Sequence, residues 1–465
     1  MTDAPGLSSD DPSHQRLPVA RLAAMNPRPA LVVMTRLPRP GRAKTRLAPA
    51  LGAAGAARLQ RRLTEAVMVQ ARRLALRLPA RLVVSFAGGK AEEMRAWLGQ
   101  GPDYQPQLGG DLGARMAAAL ERALRRGAPR AVLVGSDVPG LDEAVLSQAF
   151  SALADHDLVL GPSHDGGYYL VGLRRPCPQL FEGISWSSGR VLAQSLAVAR
   201  DLGLRVALLK RLGDVDRPED IKAWCTWLAQ RAGAVSVVIP ALNEEETIGR
   251  SVVSALAGGA FEVIVVDGGS QDRTMAAAEA AGALTVASPP GRARQMNLGA
   301  SLAQGEHLLF LHADTRLPPG WAREVRRILD RPGVAGGAFR FRLDHRPPSL
   351  RFIELAVDLR CRLASLPYGD QAIFLPAAVF RRIGGYPGQP IMEDVELVRR
   401  IKRLGRVVVS RRPALTSARR WRGAGVWKTT GLNYLMMIAY GLGIRPGLLR
   451  RIYDRADAGR PSPLA

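Results

Sequence analysis

Four acidic side chains follow apolar runs of the sequence, and their oxygens are the atoms best suited to chemistry. Asp137 ends RAVLVGSD, Asp267 ends VIVVD, Asp314 ends LLFLHAD, and Glu244 follows VVIPALN. A single acid of this kind can cap the next helix, pair with an arginine or hold a divalent cation. Several carboxylates gathered at one sheet edge repel each other unless a cation or sugar hydroxyls separate them. Hard oxygen ligands with few histidines favour Mg²⁺ or Mn²⁺ over zinc, and Mg²⁺ is commonly shared with substrate phosphates. The pattern therefore predicts a nucleoside diphosphate whose metal meets Asp314.

A basic loop near the start of the chain is a second candidate site. The stretch TRLPRPGRAKTRLAPALG places Gly41, Lys44, Thr45 and Arg46 between a strand and a helix. Backbone amides and basic side chains in such a loop can cradle phosphates. The spacing is not that of a P-loop, and a solvated basic loop is the alternative interpretation.

Strands and helices alternate in both halves of the sequence, and this order must position the acids. ALVVMTR, RLVVSF and RAVLVG in the first half, and VSVVIPA, EVIVV and HLLFL in the second, are each followed by a helical stretch. This alternation predicts parallel sheets covered on both faces. Ligands of such sheets bind at the carboxyl ends of the strands, where Asp137 and Asp314 are expected. The two halves share this plan although no repeat is detectable residue by residue.

Length and composition restrict the class of protein. The chain has 465 residues, 47% of them hydrophobic, which suits two globular domains. The three cysteines are far apart and fit neither a disulfide framework nor a zinc site, so we expect reduced thiols and a cytoplasmic location. The net charge of +24 comes mostly from arginines without a basic tail or a nucleic-acid motif. We therefore expect anionic phosphates as partners, and no nucleic acid.

The motifs of the second half resemble a known family. VSVVIPALNEEETI, VVDGGSQDRT, GRARQMNLGA, LFLHADT and MEDVEL, in that order, are similar to those of family 2 glycosyltransferases, which are inverting enzymes of the GT-A fold. Within that family the resemblance is to the second rSAM/selenodomain-associated transferases, also called arsenosugar-biosynthesis glycosyltransferases. The resemblance implies four donor contacts, Glu244, Asp267, Arg292 and Arg294. It also implies that Asp314 binds a metal, that Asp394 is the catalytic base and that Asp370 contacts the acceptor. His312 stands where the usual DxD motif has its first acid.

The implied roles agree with the chemistry of an inverting transfer. A base on the acceptor side takes the hydroxyl proton as the oxygen attacks the anomeric carbon, which is the role implied for Asp394. A cation on the other side holds the departing diphosphate, which is the role of the metal at Asp314. The expected cofactor is Mg²⁺ or Mn²⁺, and the expected partners are a nucleotide sugar donor and a hydroxyl-bearing small-molecule or lipid acceptor.

The first half resembles a different group. Its basic loop, with GGDLGARM, VGSDVPGL, GPSHDGGYYLVGL and GDVDRPEDI, is similar to the DUF2064 family, the first of the rSAM/selenodomain-associated transferases, which is GT-A-like. The resemblance implies that Lys44 and Arg46 hold a nucleotide's phosphates and that Asp137 binds a metal, with Asp165, Asp214 and Asp216 as further candidates. Whether this half transfers a sugar, transfers a nucleotidyl group or only binds a nucleotide stays open.

The expected architecture is α/β, with two tandem GT-A-like (nucleotide-diphospho-sugar transferase) domains and mainly parallel sheets. The predicted segments are a disordered arm at 1–28, the two domains at 29–230 and 235–425, and an amphipathic tail at 426–465. The tail mixes aromatic, methionine and arginine residues. Its stretch 426–452 is a candidate for peripheral contact with a membrane, at the inner face of the plasma membrane. The alternative is a helix packed over the acceptor site or at a dimer interface. Arg420 and Trp421, just before it, are candidates for closing over the donor phosphates.

Overall fold

The computed structural model describes residues 27–344, 354–355, 357–361, 367–419 and 426–456. The predicted arm, apart from its last two residues, and the pair Arg420 and Trp421 lie outside this described part. The chain divides into two compact units between Ala223 and Trp224.

The amino-terminal unit is built on a seven-stranded sheet. Its strands are β1 (Ala30–Arg36), β2 (Arg81–Ala87), β3 (Asp103–Pro106), β4 (Ala131–Gly135), β5 (Leu158–Pro162), β6 (Tyr168–Leu173) and β7 (Val206–Leu208). The helices that begin in this unit are α1 (Ala48–Arg77), α2 (Ala91–Leu98), α3 (Leu112–Arg125), α4 (Glu143–Ala152), α5 (Val191–Asp201) and α6 (Ile221–Ala229). The strand order is β3-β2-β1-β4-β6-β5-β7, and β6 runs antiparallel to both of its neighbours.

The carboxyl-terminal unit has an eight-stranded sheet. Its strands are β8 (Val235–Ala241), β9 (Glu262–Asp267), β10 (Leu284–Ala287), β11 (His307–Phe310), β12 (Thr315–Arg316), β13 (Val334–Leu343), β14 (Ile373–Pro376) and β15 (Arg406–Thr416). Its helices include α7 (Ile248–Ala257), α8 (Thr274–Ala280), α9 (Arg292–Leu302), α10 (Trp321–Leu329), α11 (Ala377–Arg382), α12 (Glu393–Lys402), α13 (Val426–Gly441) and α14 (Pro446–Ala456). The strand order is β10-β9-β8-β11-β14-β13-β15-β12.

The two sheets have the same topology. Strands β8, β9, β10 and β11 correspond to β1, β2, β3 and β4, and strands β13, β14 and β15 correspond to β5, β6 and β7. With this correspondence the two strand orders coincide, and β12 is an additional strand at the edge of the second sheet. The one reversed strand of the matched set also corresponds, because β14 is antiparallel to β11 and to β13. The shared plan predicted from the sequence is therefore present, and Asp137 and Asp314 follow equivalent strands.

Alternating residues of the central strands enter separate cores, as the predicted covering of both faces requires. In β1, Leu31 and Val33 belong to one apolar cluster while Ala30 and Val32 belong to another. In β8, Val237 and Val238 divide between two clusters in the same way. A parallel strand that is buried on both faces is apolar at nearly every position, which explains these runs. Across the described residues, no helix is long and apolar enough to cross a bilayer.

Candidate active site

The ends of β8 and β9 lie side by side in the carboxyl-terminal unit and carry its first two acids. The register pairs Ala241 with Asp267, so the loops that follow these strands leave the sheet together. Asp267 is buried, and its carboxylate accepts hydrogen bonds of 2.9 Å from the backbone N–H groups of both Gly269 and Ser270. These bonds give Asp267 a definite role in shaping the loop, whereas its predicted nucleoside contact stays a prediction.

Glu244 lies in the loop after β8 and is held by a residue far along the chain. Its carboxylate accepts hydrogen bonds from Arg419 at 2.9 and 2.7 Å and from the Thr247 hydroxyl at 2.8 Å. Its backbone N–H donates to the Thr274 hydroxyl at 2.7 Å, which ties the loop to the start of α8. The Arg419 guanidinium is thus brought to the edge where the acids gather.

Asp314 lies in the turn between β11 and β12, where its backbone oxygen accepts a hydrogen bond of 3.1 Å from the Ser417 N–H. Burial and the nearby negative charge of Glu244 together raise the pKa of its carboxyl to about 6, although Arg419 opposes the rise. The carboxylate therefore occupies an environment with too little positive charge. A bound cation would relieve that imbalance.

A half-buried arginine lies between the turn that contains Asp314 and the predicted base. Arg292 opens α9, contacts Nε2 of His312, and has guanidinium nitrogens 3.7 Å from Glu393 and 3.9 Å from Asp394. Burial alone would lower the pKa of Arg292, but the carboxylates of Glu393 and Asp394 outweigh it and raise the pKa. The predicted base thus starts α12 with a fixed positive charge beside it. Arg294, the other predicted donor contact on α9, is exposed.

The predicted acceptor contact, Asp370, lies in the short turn that precedes β14. Gln371, in the same turn, is buried and donates a hydrogen bond of 3.1 Å to the Phe339 carbonyl, which fixes the turn against β13. Thr416 donates its hydroxyl to the backbone oxygen of Asp370 at 3.2 Å. The charge of Asp370 acts on the pKa values of both Asp314 and Arg292, so the three groups share one site.

In the amino-terminal unit, the basic loop reaches the acid that follows β4. Lys44 Nζ lies 2.8 Å from Asp137 and 3.3 Å from Asp216, and Arg46 lies 2.6 Å from Asp216. Lys44 has a left-handed backbone (φ 49°), which turns its side chain into the site, where only 5% of it is exposed. Burial raises the pKa of Asp214 to about 6, and Asp137 and Asp165 add to the rise. The predicted phosphate and metal residues of this unit thus lie together.

The residues of this group other than Lys44 border a cavity of about 370 Å³, a size that suits a nucleotide. Its lining includes Arg46, Asp137, Asp165 and Asp214, together with the aromatic ring of Trp186. The floor is a buried polar network of Thr35, Gln60, Thr64 and Ser136. Gln60 donates to Thr64 at 3.0 Å and to Ser136 at 3.1 Å, and Ser136 donates to Thr35 at 3.0 Å. The network fixes the end of β4 one residue before Asp137.

The fit to a divalent cation was judged from the donor atoms. Within the described ranges, no group of three or more histidine, cysteine, aspartate or glutamate side chains could hold a metal ion by itself. Asp314 nonetheless offers a half-buried carboxylate whose pKa is raised, next to the negative charge of Glu244. Magnesium is often bound by one or two carboxylates plus substrate phosphates, so the residues fit a cation that arrives with a diphosphate.

Two important residues were missed by the sequence analysis. Gln295 is buried in α9 and donates to the carbonyls of Ala241 and Val266 at 3.0 and 2.8 Å, which joins the ends of β8 and β9. Arg419 pairs with Glu244 across 175 positions of sequence. Gln295 stands inside the quoted motif GRARQMNLGA, which could have drawn attention to it. No local signal marks Arg419, because its partner is set by the pairing of β12 with β15.

The geometry agrees with the comparisons with known proteins. A family described as "Uncharacterized protein conserved in bacteria (DUF2064)" matches residues 70–188, and "Glycosyl transferase family 2" matches residues 236–369. The chain is a fusion of a DUF2064 domain and a family 2 glycosyltransferase domain. This confirms the fusion predicted from the motifs, and the fusion protein is a transferase.

The fusion protein is similar to two different classes of transferase. It is 31% identical over 190 residues to a phosphoenolpyruvate guanylyltransferase of Chloroflexus aggregans, covering 39% of the fusion protein and 91% of that relative. It is 35% identical over 155 residues to an undecaprenyl-phosphate 4-deoxy-4-formamido-L-arabinose transferase of Pseudomonas aeruginosa, covering 29% and 44%. A solved structure of a putative nucleotide-diphospho-sugar transferase from Desulfovibrio desulfuricans is 35% identical with a TM-score of 0.38, covering 41% and 84%. The fusion protein thus spans less than half of the undecaprenyl-phosphate transferase.

Proposed function

We propose that the carboxyl-terminal unit transfers a sugar, with inversion, from a nucleoside diphosphate donor to a hydroxyl acceptor. The observation that carries the proposal is that Arg292 lies between the turn that contains His312 and Asp314 and the predicted base, Asp394. Asp314 lies at the end of β11 beside His312, and Asp394 starts α12, while Arg292 contacts His312 and lies 3.9 Å from Asp394. An inverting transfer needs a charge-stabilising side and a base side in this proximity.

Each side has its own task in the proposed reaction. Asp394 accepts the proton of the acceptor hydroxyl, whose oxygen bonds to the anomeric carbon as the bond from that carbon to the diphosphate breaks. Arg292 places a positive charge 3.9 Å from the Asp394 carboxylate. Asp314, with Glu244 next to it, would hold a divalent cation, Mg²⁺ or Mn²⁺. When bound, that cation supplies positive charge for the departing diphosphate.

The acceptor is proposed only by class. The undecaprenyl-phosphate transferase of Pseudomonas aeruginosa has, by its name, a lipid acceptor, and it supports a lipid alcohol or lipid phosphate as one candidate. Asp370 belongs to the acceptor side, because its charge reaches both Arg292 and Asp314. Glu244, Asp267 and Arg294 remain the proposed donor contacts.

The test is release of nucleoside diphosphate by the full chain from UDP-, GDP- and dTDP-hexoses with Mn²⁺, with and without added alcohols. Asp314→Asn and Asp394→Asn should each remove the product, whereas Asp137→Asn, a change of the same chemistry in the other unit, should leave it. Equal release by Asp394→Asn and the unaltered chain would reject Asp394 as the base. Absence of product with every donor would count against the proposed function itself.

For the amino-terminal unit, the second candidate is nucleotidyl transfer that supplies an activated compound. The guanylyltransferase of Chloroflexus aggregans supports it, since the alignment covers 91% of that relative. Arg46 lines the cavity with Asp137, Asp214 and Asp216, and Lys44 pairs with two of these acids. The two basic side chains would bind a triphosphate while the acids hold its cation. Pyrophosphate release from GTP with phosphoenolpyruvate or sugar phosphates tests it. No pyrophosphate with any pair would leave a nucleotide-binding module that does not turn over.

A further inference from the structure

Helix α13 presents an exposed apolar stripe. Leu435 and Ile438 are 56% and 57% exposed and lie three residues apart on one side of the helix, and Leu442, 79% exposed, lies in the turn just after the helix. The opposite side is packed, because Met436 is buried in an apolar cluster. The stripe is therefore an apolar surface that faces outward, on a helix whose inner side is already packed against the protein.

Helix α14 continues this surface. Leu448 and Ile452, one turn apart, are 52% and 39% exposed, while Leu449 and Tyr453 are buried against Met436. We call the five exposed side chains, Leu435, Ile438, Leu442, Leu448 and Ile452, the outer apolar face. Clustered exposed apolar side chains of this kind mark a binding surface more often than chance.

The charges around the outer apolar face identify its occupant. Residues 426–456, which include both helices, contain five basic residues and one acid, namely Lys428, Arg445, Arg450, Arg451 and Arg455 against Asp454. Arg445 and Arg451 are exposed, three residues before Leu448 and one before Ile452. A second copy of the chain would bring these like charges together, which disfavours self-association. Leucine and isoleucine on one side with arginines at the border suit an anionic bilayer, whose acyl region takes the apolar side chains and whose phosphates take the arginines.

The same helices reach the acceptor side of the active site. Met437, on α13, contacts the hydroxyl of Tyr368, which lies two residues before Asp370. The Arg360 guanidinium stacks on the Tyr368 ring at 3.9 Å. A bilayer that binds α13 would therefore lie near the turn that carries the proposed acceptor contact.

We propose that α13 and α14 dock the protein on an anionic lipid bilayer through the outer apolar face, and that the acceptor hydroxyl is presented from that bilayer. The docking stands on the surface alone, whereas the origin of the acceptor rests on the proposed function. Both helices lie in the lipid interface and do not cross the membrane. The absence of a membrane-spanning helix among the described residues is compatible with this arrangement.

Flotation of the full chain with vesicles tests the docking without any assay of activity. The protein should float with vesicles of phosphatidylglycerol and phosphatidylcholine in equal parts, and not with phosphatidylcholine alone. The triple change Leu435→Ser, Ile438→Ser and Leu442→Ser should weaken binding at least about tenfold, since the apolar anchor is removed. The matched control is Leu76→Ser, Leu208→Ser and Val253→Ser, which removes similarly exposed apolar side chains elsewhere and should bind as the unaltered chain does.

Two further variants separate docking from misfolding. Ile438→Trp should strengthen binding by about severalfold, because tryptophan favours the lipid interface, and a folding defect cannot produce that gain. Arg445→Gln with Arg451→Gln should weaken binding to anionic vesicles, whereas Arg323→Gln with Arg331→Gln, also exposed, should not.

The proposal is overturned if the full chain does not float with anionic vesicles, or if the triple serine variant floats as well as the unaltered chain. It is also overturned if the protein is a dimer in solution that the triple variant converts to a monomer while vesicle binding is absent. Nucleoside diphosphate binding by the triple variant should be unchanged. Failure to float therefore refutes the docking and leaves the proposed transfer reaction standing.

Discussion

Replacing Asp314 by asparagine should stabilise the carboxyl-terminal unit at neutral pH while it removes metal-dependent donor binding. Asp314 has a pKa of about 6 in the folded chain against an ordinary 3.8, because burial and Glu244 disfavour its charge. An acid whose pKa is raised by folding binds its proton more tightly in the folded state. Its ionisation therefore destabilises the fold, fully above pH 6 and not at all below about pH 3.8.

The size of this effect follows from the difference between the two pKa values. At about 1.36 kcal/mol per unit, the difference between about 6 and 3.8 corresponds to about 3 kcal/mol, which is an upper limit. For a unit of this size, 1 kcal/mol shifts the melting temperature by about 2–4 °C. Asp314→Asn should therefore raise the melting temperature of the carboxyl-terminal unit at pH 8, by at most about 6–12 °C.

Thermal unfolding of the full chain between pH 8 and pH 4 measures this effect. The advantage of Asp314→Asn should shrink as the pH falls through 6 and disappear near pH 4. The control is Asp330→Asn, an exposed acid at the end of α10, which also removes one negative charge from a basic chain and should give no such gain. Mn²⁺ with UDP should raise the melting temperature of the unaltered chain more than that of the variant. A variant that is less stable than the unaltered chain at pH 8, or whose gain does not depend on pH, would refute the reasoning.

Three further predictions concern other parts of the two sites. Asp394→Asn should lower kcat by about 10² or more with unchanged donor affinity, since the base acts only on the acceptor proton; a normal kcat would exclude it as the base. The pKa of Asp214 is about 6, so the affinity of the amino-terminal unit for Mn²⁺ should increase as the pH rises from 5 to 7. Titration of the Asp314→Asn chain with Mn²⁺ measures this affinity, and an affinity that does not change with pH would contradict a role for Asp214. Gln60→Leu leaves buried hydroxyls without their donor and should cost about 1–3 kcal/mol in urea unfolding, more than Gln70→Leu, which breaks one hydrogen bond; equal costs would contradict the role of the network.

The sequence predicted the elements well because local pattern decides them. Apolar runs that end in acids gave β4, β9 and β11, and the equivalence of Asp137 and Asp314 is reproduced by the common strand order. The loop with Lys44 and the acid after β4 were predicted to serve the same nucleotide, and the structure brings them within 2.8 Å.

The pairings within the sites were beyond the reach of the sequence. Arg292 was expected near the base or phosphates of the donor, and the structure places it between His312 and the acids that start α12. Those groups come from separate elements about 20 to 100 positions apart, and only the packing of α9 against the sheet brings them together. The same holds for Arg419 and Glu244, whose contact depends on the antiparallel pairing of β12 with β15. Charge type and strand position are local properties, whereas the choice of counter-ion is a property of the whole fold.

The central claim is that the acids at the end of the carboxyl-terminal sheet are held for a cation that arrives with a diphosphate. Isothermal titration of the full chain with UDP, GDP, CDP, ADP and dTDP, each with and without Mn²⁺, tests it most directly. To separate the two units, the titrations are repeated with Asp314→Asn and with Asp137→Asn. The account predicts at least one nucleoside diphosphate whose binding requires Mn²⁺, is lost in Asp314→Asn and persists in Asp137→Asn. Binding that is equally tight without the metal, or that survives in Asp314→Asn, would contradict it.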